Sequence, residues 1–157
     1  MIALHQTCHL ADETATLALG TAIAPALRPG LVVFLQGELG AGKTTFTRGI
    51  LRGLGYLGKV KSPTYNLIEL YKISRLYLYH FDFYRFNNPN EWEEAGFRDY
   101  FNADSICLVE WPEKAGDLLS PPDLWIRIEF DGEARRARLE AHSSAGEAWL
   151  SSLPSSL

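Results

Sequence analysis

Residues 31–45 read LVVFLQGELGAGKTT, and no other stretch restricts the fold of this chain as strongly. The run LVVFL is apolar without interruption and partly β-branched, which fits a strand buried on both faces. A glycine loop follows at once. KTTFTRGILRGLG comes next, with Phe46, Ile50, Leu51 and Leu54 at helical spacing and Gly55 as the stop.

Strand, glycine loop and helix in direct succession predict an α/β fold. We read a single-domain P-loop NTPase-like fold with a mixed central β-sheet, flanking helices and antiparallel hairpins. Gly37, Gly42, Lys43 and Thr44 match G-x-x-x-x-G-K-[ST]. The chemistry explains the residue types. A triphosphate needs several N–H donors converging on a small concavity, so the backbone of Gly37, Glu38, Leu39, Gly40, Ala41, Gly42 and Lys43 must come close without obstructing side chains. The helix that follows turns its free N–H groups and positive dipole end towards the same anion. Lys43 reaches the β- and γ-phosphates, and the Thr44 hydroxyl suits Mg²⁺, a hard ion that prefers oxygen.

Two acids compete for the metal. Glu110 closes ICLVE, four apolar residues and then a carboxylate. Asp82 lies in LYLYHFDFYR, where alternation places His80, Asp82 and Tyr84 on one strand face. No N-K-x-D or D-x-x-G occurs, which favours ATP over GTP.

The rest of the chain is read as follows. Residues 12–27 form a helix with Asp12 as N-cap and Leu17, Ala18, Ala22 and Ala26 on one face, ended by Pro25 and RPG at 28–30. YNLIELYKI and RLYLYHFDFY form a hairpin turning near Ser74–Arg75. NNPNEWEEAGFRDYF is a loop and then a helix over 90–101, whose Trp92, Phe97, Tyr100 and Phe101 read as core rather than interface. WPEKAGDLL is a turn and a short helix. DLWIRIEF and ARRARLEA form a second hairpin turned at Asp131-Gly132. Arg136 and Arg138 share one face of its second strand, read as a solvated edge, with phosphate or tRNA contact as the alternative. The C-terminal segment holds a short helix and frays from about 150. No repeat or linker divides the chain, so 1–157 is read as one domain.

Composition removes other classes. The net charge of −4 argues against a large basic nucleic-acid footprint. Cys8 and Cys107 do not suggest a disulfide scaffold, and His5, Cys8 and His9 have no second pair with which to hold zinc. No basic-then-apolar leader occurs, and no apolar run approaches the roughly 20 residues needed to span a bilayer. A cytoplasmic protein is expected.

GELGAGKTTFTRG, SPTYNLIELY (62–71), YHFDFYR (79–85) and ICLVEWPEK (106–114) follow one another at short spacings. Together they resemble the TsaE family, also called YjeE, small bacterial P-loop ATPases of threonylcarbamoyladenosine (t6A) biosynthesis. The resemblance runs from about residue 10 to 140. It implies Lys43 as the Walker lysine, Thr44 as the loop's magnesium ligand and Thr45 as a second threonine near the phosphates. It implies Thr64 as a switch-like loop threonine and Asp82 as an acid needed for hydrolysis. Glu110 becomes the Walker-B-like glutamate that helps hold Mg²⁺, with Trp111 beside it. ATP and Mg²⁺ are the implied ligands. TsaD and TsaB are the implied partners, with tRNA met only through their complex, which ATP hydrolysis resets between turnovers. No arginine finger is obvious, although Arg85 lies close after Asp82, so slow turnover by the isolated protein is expected. A small-molecule P-loop kinase is the alternative, and a nucleotide-dependent binding module with negligible turnover is a third reading.

Overall fold

The apolar run before the glycine loop lies near the middle of a seven-stranded sheet in a computed structural model, which describes residues 4–61, 63, 67–74, 76–86, 96–154 and 157. In chain order the strands are β1 (His5–Leu10), β2 (Val32–Gln36), β3 (Ile68–Ile73), β4 (Leu76–Asp82), β5 (Ser105–Glu110), β6 (Leu124–Asp131) and β7 (Ala134–Ala141). The helices are α1 (Glu13–Ile23), α2 (Lys43–Gly53) and α3 (Ser144–Ser152). Across the sheet the order is β1-β7-β6-β2-β5-β4-β3. The strands β6, β2, β5 and β4 are parallel, and antiparallel strands extend the sheet on both sides. Among the described residues no helix is long and apolar enough to cross a membrane.

The two sheet faces carry different cores. Leu35, Leu78, Leu108 and Ile126 pack with Ile23, Phe46 and Ile50 of the helices, and α3 adds Trp149 and Leu150. The other face is aromatic: Phe34, Phe81, Phe83, Phe86 and Phe97 gather with Val109 and Cys107. Each fully buried side chain of this size stabilises by about 1.5–3 kcal/mol. Burial pushes the Cys107 thiol up to about 12, so it behaves as the small apolar residue expected of it.

Asp12 caps α1, its Oδ1 accepting from the Ala15 N–H at 2.9 Å. The helix ends at Ile23, and Pro25 sits in a single 3-10 turn over Ala24–Ala26. Its buried stripe is not Leu17, Ala18 and Ala22 but Thr16, Leu19, Gly20 and Ile23. The reason is close packing. A Cβ on Gly20 would collide with the Phe46 carbonyl of α2, and one on Gly49 with the Leu17 carbonyl of α1, so the two helices touch backbone to backbone. Alanines turned to solvent mimic an apolar face in the sequence, while the face that is buried contains a glycine and a threonine.

Other expectations need correcting. The N-terminal segment is a strand, β1, that pairs with β7, so β7 is interior and Arg136 and Arg138 are not on an edge. Their side of β7 is nonetheless exposed. The second hairpin pairs Asp131 with Ala134, which makes Gly132-Glu133 the two-residue turn, with Gly132 at φ +61° in a type II′ arrangement. Of the helix expected over 90–101, the described part is one 3-10 turn, Phe97–Tyr100, whose Phe97 is buried in the aromatic core. Trp92 lies outside the described residues. The C-terminal helix continues to Ser152, and Leu153 packs on the core.

Candidate nucleotide site

The site forms where β2, β4 and β5 end and α2 begins. Gly42 is the N-cap of α2 at φ +107°, a left-handed backbone that a side chain would strain. The loop closes on itself through the Ala41 N–H, donated to the Glu38 carbonyl at 3.0 Å. A cleft of about 320 Å³ opens over this N-terminus, lined by Lys43, Thr44, Thr45, Asp82, Glu110 and Trp111 among others. The two acids are neighbours because β4 and β5 run parallel with Asp82 beside Glu110. The same register puts Leu78, His80 and Asp82 on the face that α2 covers.

Lys43 is almost fully buried and already engaged. Its Nζ donates to the Gly37 carbonyl at 2.6 Å, lies 3.6 Å from Glu110 Oε1 and sits 4.3 Å from the centroid of the Trp111 ring. Trp111 itself has φ +55°, an unusual backbone for a bulky residue, and starts a 3-10 turn over Pro112–Lys114. Glu110, equally buried, uses its other oxygen: Oε2 is 2.5 Å from His80 Nε2. Asp82 Oδ1 accepts from the Tyr84 N–H at 3.0 Å. Tyr84 is past the end of β4, not on it, and its ring packs on Trp111 at 5.0 Å. Burial pushes the Asp82 carboxyl above its ordinary range. Nearby Glu110 adds to this, while the Tyr84 N–H, His80 and Lys43 pull the other way.

Thr45 Oγ1 donates to Glu13 Oε1 at 3.2 Å, which ties the loop helix to the start of α1. Arg85 is exposed beyond the strand end. Thr64 lies outside the described residues. The sequence thus places Lys43, Thr44, Thr45, Asp82, Glu110 and Trp111 at one cleft, with His80 beneath it.

A second cleft, of about 460 Å³, adjoins the first across Trp111 and the loop residues Gly37 and Glu38. It is larger but lacks Lys43, Thr44 and both acids of the first. Its wall was not foreseen: Gln36 Oε1 accepts from Trp125 Nε1 at 2.9 Å and from an Arg127 guanidinium nitrogen at 2.6 Å, and that guanidinium stacks 4.3 Å over Trp125. Alternation along β6 could have paired Trp125 with Arg127, but Gln36 joins them only through the β2–β6 register. Arg135, likewise unassigned, lies over Phe130 at 4.2 Å and reaches the Gly40 carbonyl.

Thr44 and Glu110 supply oxygen donors at the cleft, with Asp82 alongside, and this donor set fits a hard cation such as Mg²⁺ that keeps phosphate and water among its ligands.

Known proteins resemble this chain. The sequence profile of the family described as "Threonylcarbamoyl adenosine biosynthesis protein TsaE" matches residues 10–138. The tRNA threonylcarbamoyladenosine biosynthesis protein TsaE of Haemophilus influenzae is 45% identical over 146 residues, covering 90% of this chain and 92% of that one. The TsaE of Bacillus subtilis is 41% identical over 121 residues, covering 77% and 75%. The crystal structure of Bacillus subtilis YdiB superposes with a TM-score of 0.83 at 31% identity, covering 96% of this chain and 95% of that one. A profile matched over most of the chain, and relatives this similar over three quarters or more of their length, mean that the chain belongs to the TsaE family of threonylcarbamoyladenosine biosynthesis proteins.

Proposed function

We propose that this protein is the ATP-binding and ATP-hydrolysing component of the t6A machinery, acting with the TsaD–TsaB pair to allow repeated turnover. The observation that carries this reading is the convergence of Lys43, Thr44, Asp82 and Glu110 on one cleft at the N-terminus of α2. The loop N–H groups and helix dipole bind the phosphates. Lys43 exchanges the Gly37 carbonyl for the β- and γ-phosphates, and its release frees Glu110 Oε1. Thr44 and Glu110 would hold Mg²⁺, which when bound would neutralise charge on the transferring phosphoryl group. Asp82, with its raised proton affinity, orients the attacking water and takes its proton.

The test is steady-state ATP hydrolysis by the purified protein, with and without TsaD–TsaB, at matched magnesium and salt. Stimulation well above the isolated rate supports the reading. Unchanged turnover together with no complex in a pull-down overturns the partner assignment.

A further inference from the structure

His80 is 1% exposed, and its ring sits on the α2 side of β4 with Nε2 at 2.5 Å from Glu110 Oε2. A carboxylate oxygen only accepts, so this contact requires the proton on Nε2. In the neutral ring Nδ1 is then a bare acceptor. It is buried and finds no partner among the described residues. Leaving such a group unpaired in a core is unfavourable. A leucine or phenylalanine at this place in the core would avoid the cost, so the Nε2 contact needs a return other than packing.

The return lies in how Glu110 is divided. Oε2 is held from below by His80. Oε1 faces Lys43 at 3.6 Å on the cleft side. Without the imidazole the carboxylate rotates freely about its last bond and either oxygen, or both, can turn to the cleft. We infer that His80 is a positioning residue: it fixes Glu110 so that Oε1 alone is presented to the metal and to Lys43. The inference rests on the proposed Mg²⁺–ATP reading of the cleft. It also explains why a histidine precedes Asp82 by two residues. The parallel register sets His80 beside Leu108, one pleat before Glu110, within reach of that side chain but out of the cleft. Ligand-orienting partners of this kind typically alter metal affinity by about 10–100-fold.

Three measurements test it. In ¹⁵N spectra of the wild-type protein, His80 should show a proton on Nε2 and a bare Nδ1. A ring whose only proton is on Nδ1 overturns the inference without any variant being made. Next, the Mg²⁺ concentration for half-maximal ATP binding and hydrolysis is compared in His80→Phe and His80→Gln. The first removes the donor, and the second restores an N–H near the position of Nε2. The expected result is an increase of about tenfold or more for His80→Phe, recovery of most of it by His80→Gln, and unchanged ATP binding in EDTA for both. Equal behaviour of the two variants overturns the inference. Last, in a Glu110→Gln background His80→Phe should leave the Mg²⁺ requirement unmoved, and an added shift there overturns it. A wild-type protein that binds no ATP with Mg²⁺ overturns the reading of the cleft and this inference together. Wild-type binding with a failed rescue overturns the inference alone.

Discussion

The two halves of the sheet treat charge in opposite ways. In the parallel half, all six residues of β5 are buried, Glu110 included, and His80 is buried in β4. In the other half, the β6–β7 hairpin alternates: Ile126, Ile128, Ala137 and Leu139 point into the core while Arg127, Glu129, Arg136 and Arg138 point out. Ion pairs occur in both halves and differ in worth. Arg136 and Glu129 meet at 3.2 Å with side chains 50% and 56% exposed, where water screens them and such a pair contributes little. Lys43 and Glu110 meet at side-chain exposures of 7% and 5%. A charge held out of water must find a specific partner, and that requirement makes the strand ends beside α2 a site while the hairpin face is a solvated surface.

The largest expected effect follows from this contrast. Lys43→Ala should lower partner-stimulated kcat by about 10²–10³-fold, whereas Arg136→Ala should leave it within about twofold, since its pair is rim-like and screened. Parallel steady-state assays decide the matter, and comparable losses would break the distinction between the halves. Next in size is Leu139→Ala. Leu139 is fully buried in β7, and its truncation should cost about 2–5 kcal/mol in denaturant unfolding. Hydrolysis per folded molecule should be retained. A selective loss of activity in a protein of normal stability would show that the hairpin half takes part in the chemistry.

The smallest effect is the sharpest. The Asp82 carboxyl is raised in the folded protein, chiefly by burial. Its contribution to stability is therefore fully present below its unfolded pKa and is lost as pH rises through the folded one. Asp82→Asn should thus unfold a few degrees above the wild type at neutral pH, with the gap narrowing on acidification, while hydrolysis is lost. Thermal melts from neutral pH down to the ordinary carboxyl value of 3.8 would check the sign. A variant less stable at neutral pH would mean that ionised Asp82 is better paired than its surroundings indicate.

Much of the parallel half was legible in the sequence because its signals are local. The apolar run, glycine loop and helix around Lys43 and Thr44 are contiguous, and Glu110 follows four apolar residues. What was hidden depends on neighbours distant in the chain. The His80–Glu110 contact requires β4 and β5 to be parallel and in one register, and nothing in either segment states that. Gln36, Trp125 and Arg127 come together across the β2–β6 pairing for the same reason. The six-residue β1 was passed over although Cys8 and Leu10 alternate with His5, Thr7 and His9, because a short polar edge strand resembles a loop. The α1 stripe differs from the expected one because solvent-facing alanines read as apolar, while the close helix contact buries a glycine and a threonine.

That contact between α1 and α2 also limits how the protein can respond to its ligand. With Gly20 and Gly49 facing opposing carbonyls, and Thr21 Oγ1 donating to the Gly49 carbonyl at 3.2 Å, there is no lubricating layer of side chains between the two helices. They cannot slide, and α2 cannot tilt alone. Any displacement of α2 drags α1 with it, and α1 leads directly back to β1 at the far edge of the sheet. The pair is a strut and not a hinge. Under the proposed ATP reading, accommodation of a triphosphate falls to what is free of the strut: the loop over Glu38–Ala41, the Lys43 side chain and the strand-end residues around Asp82 and Trp111.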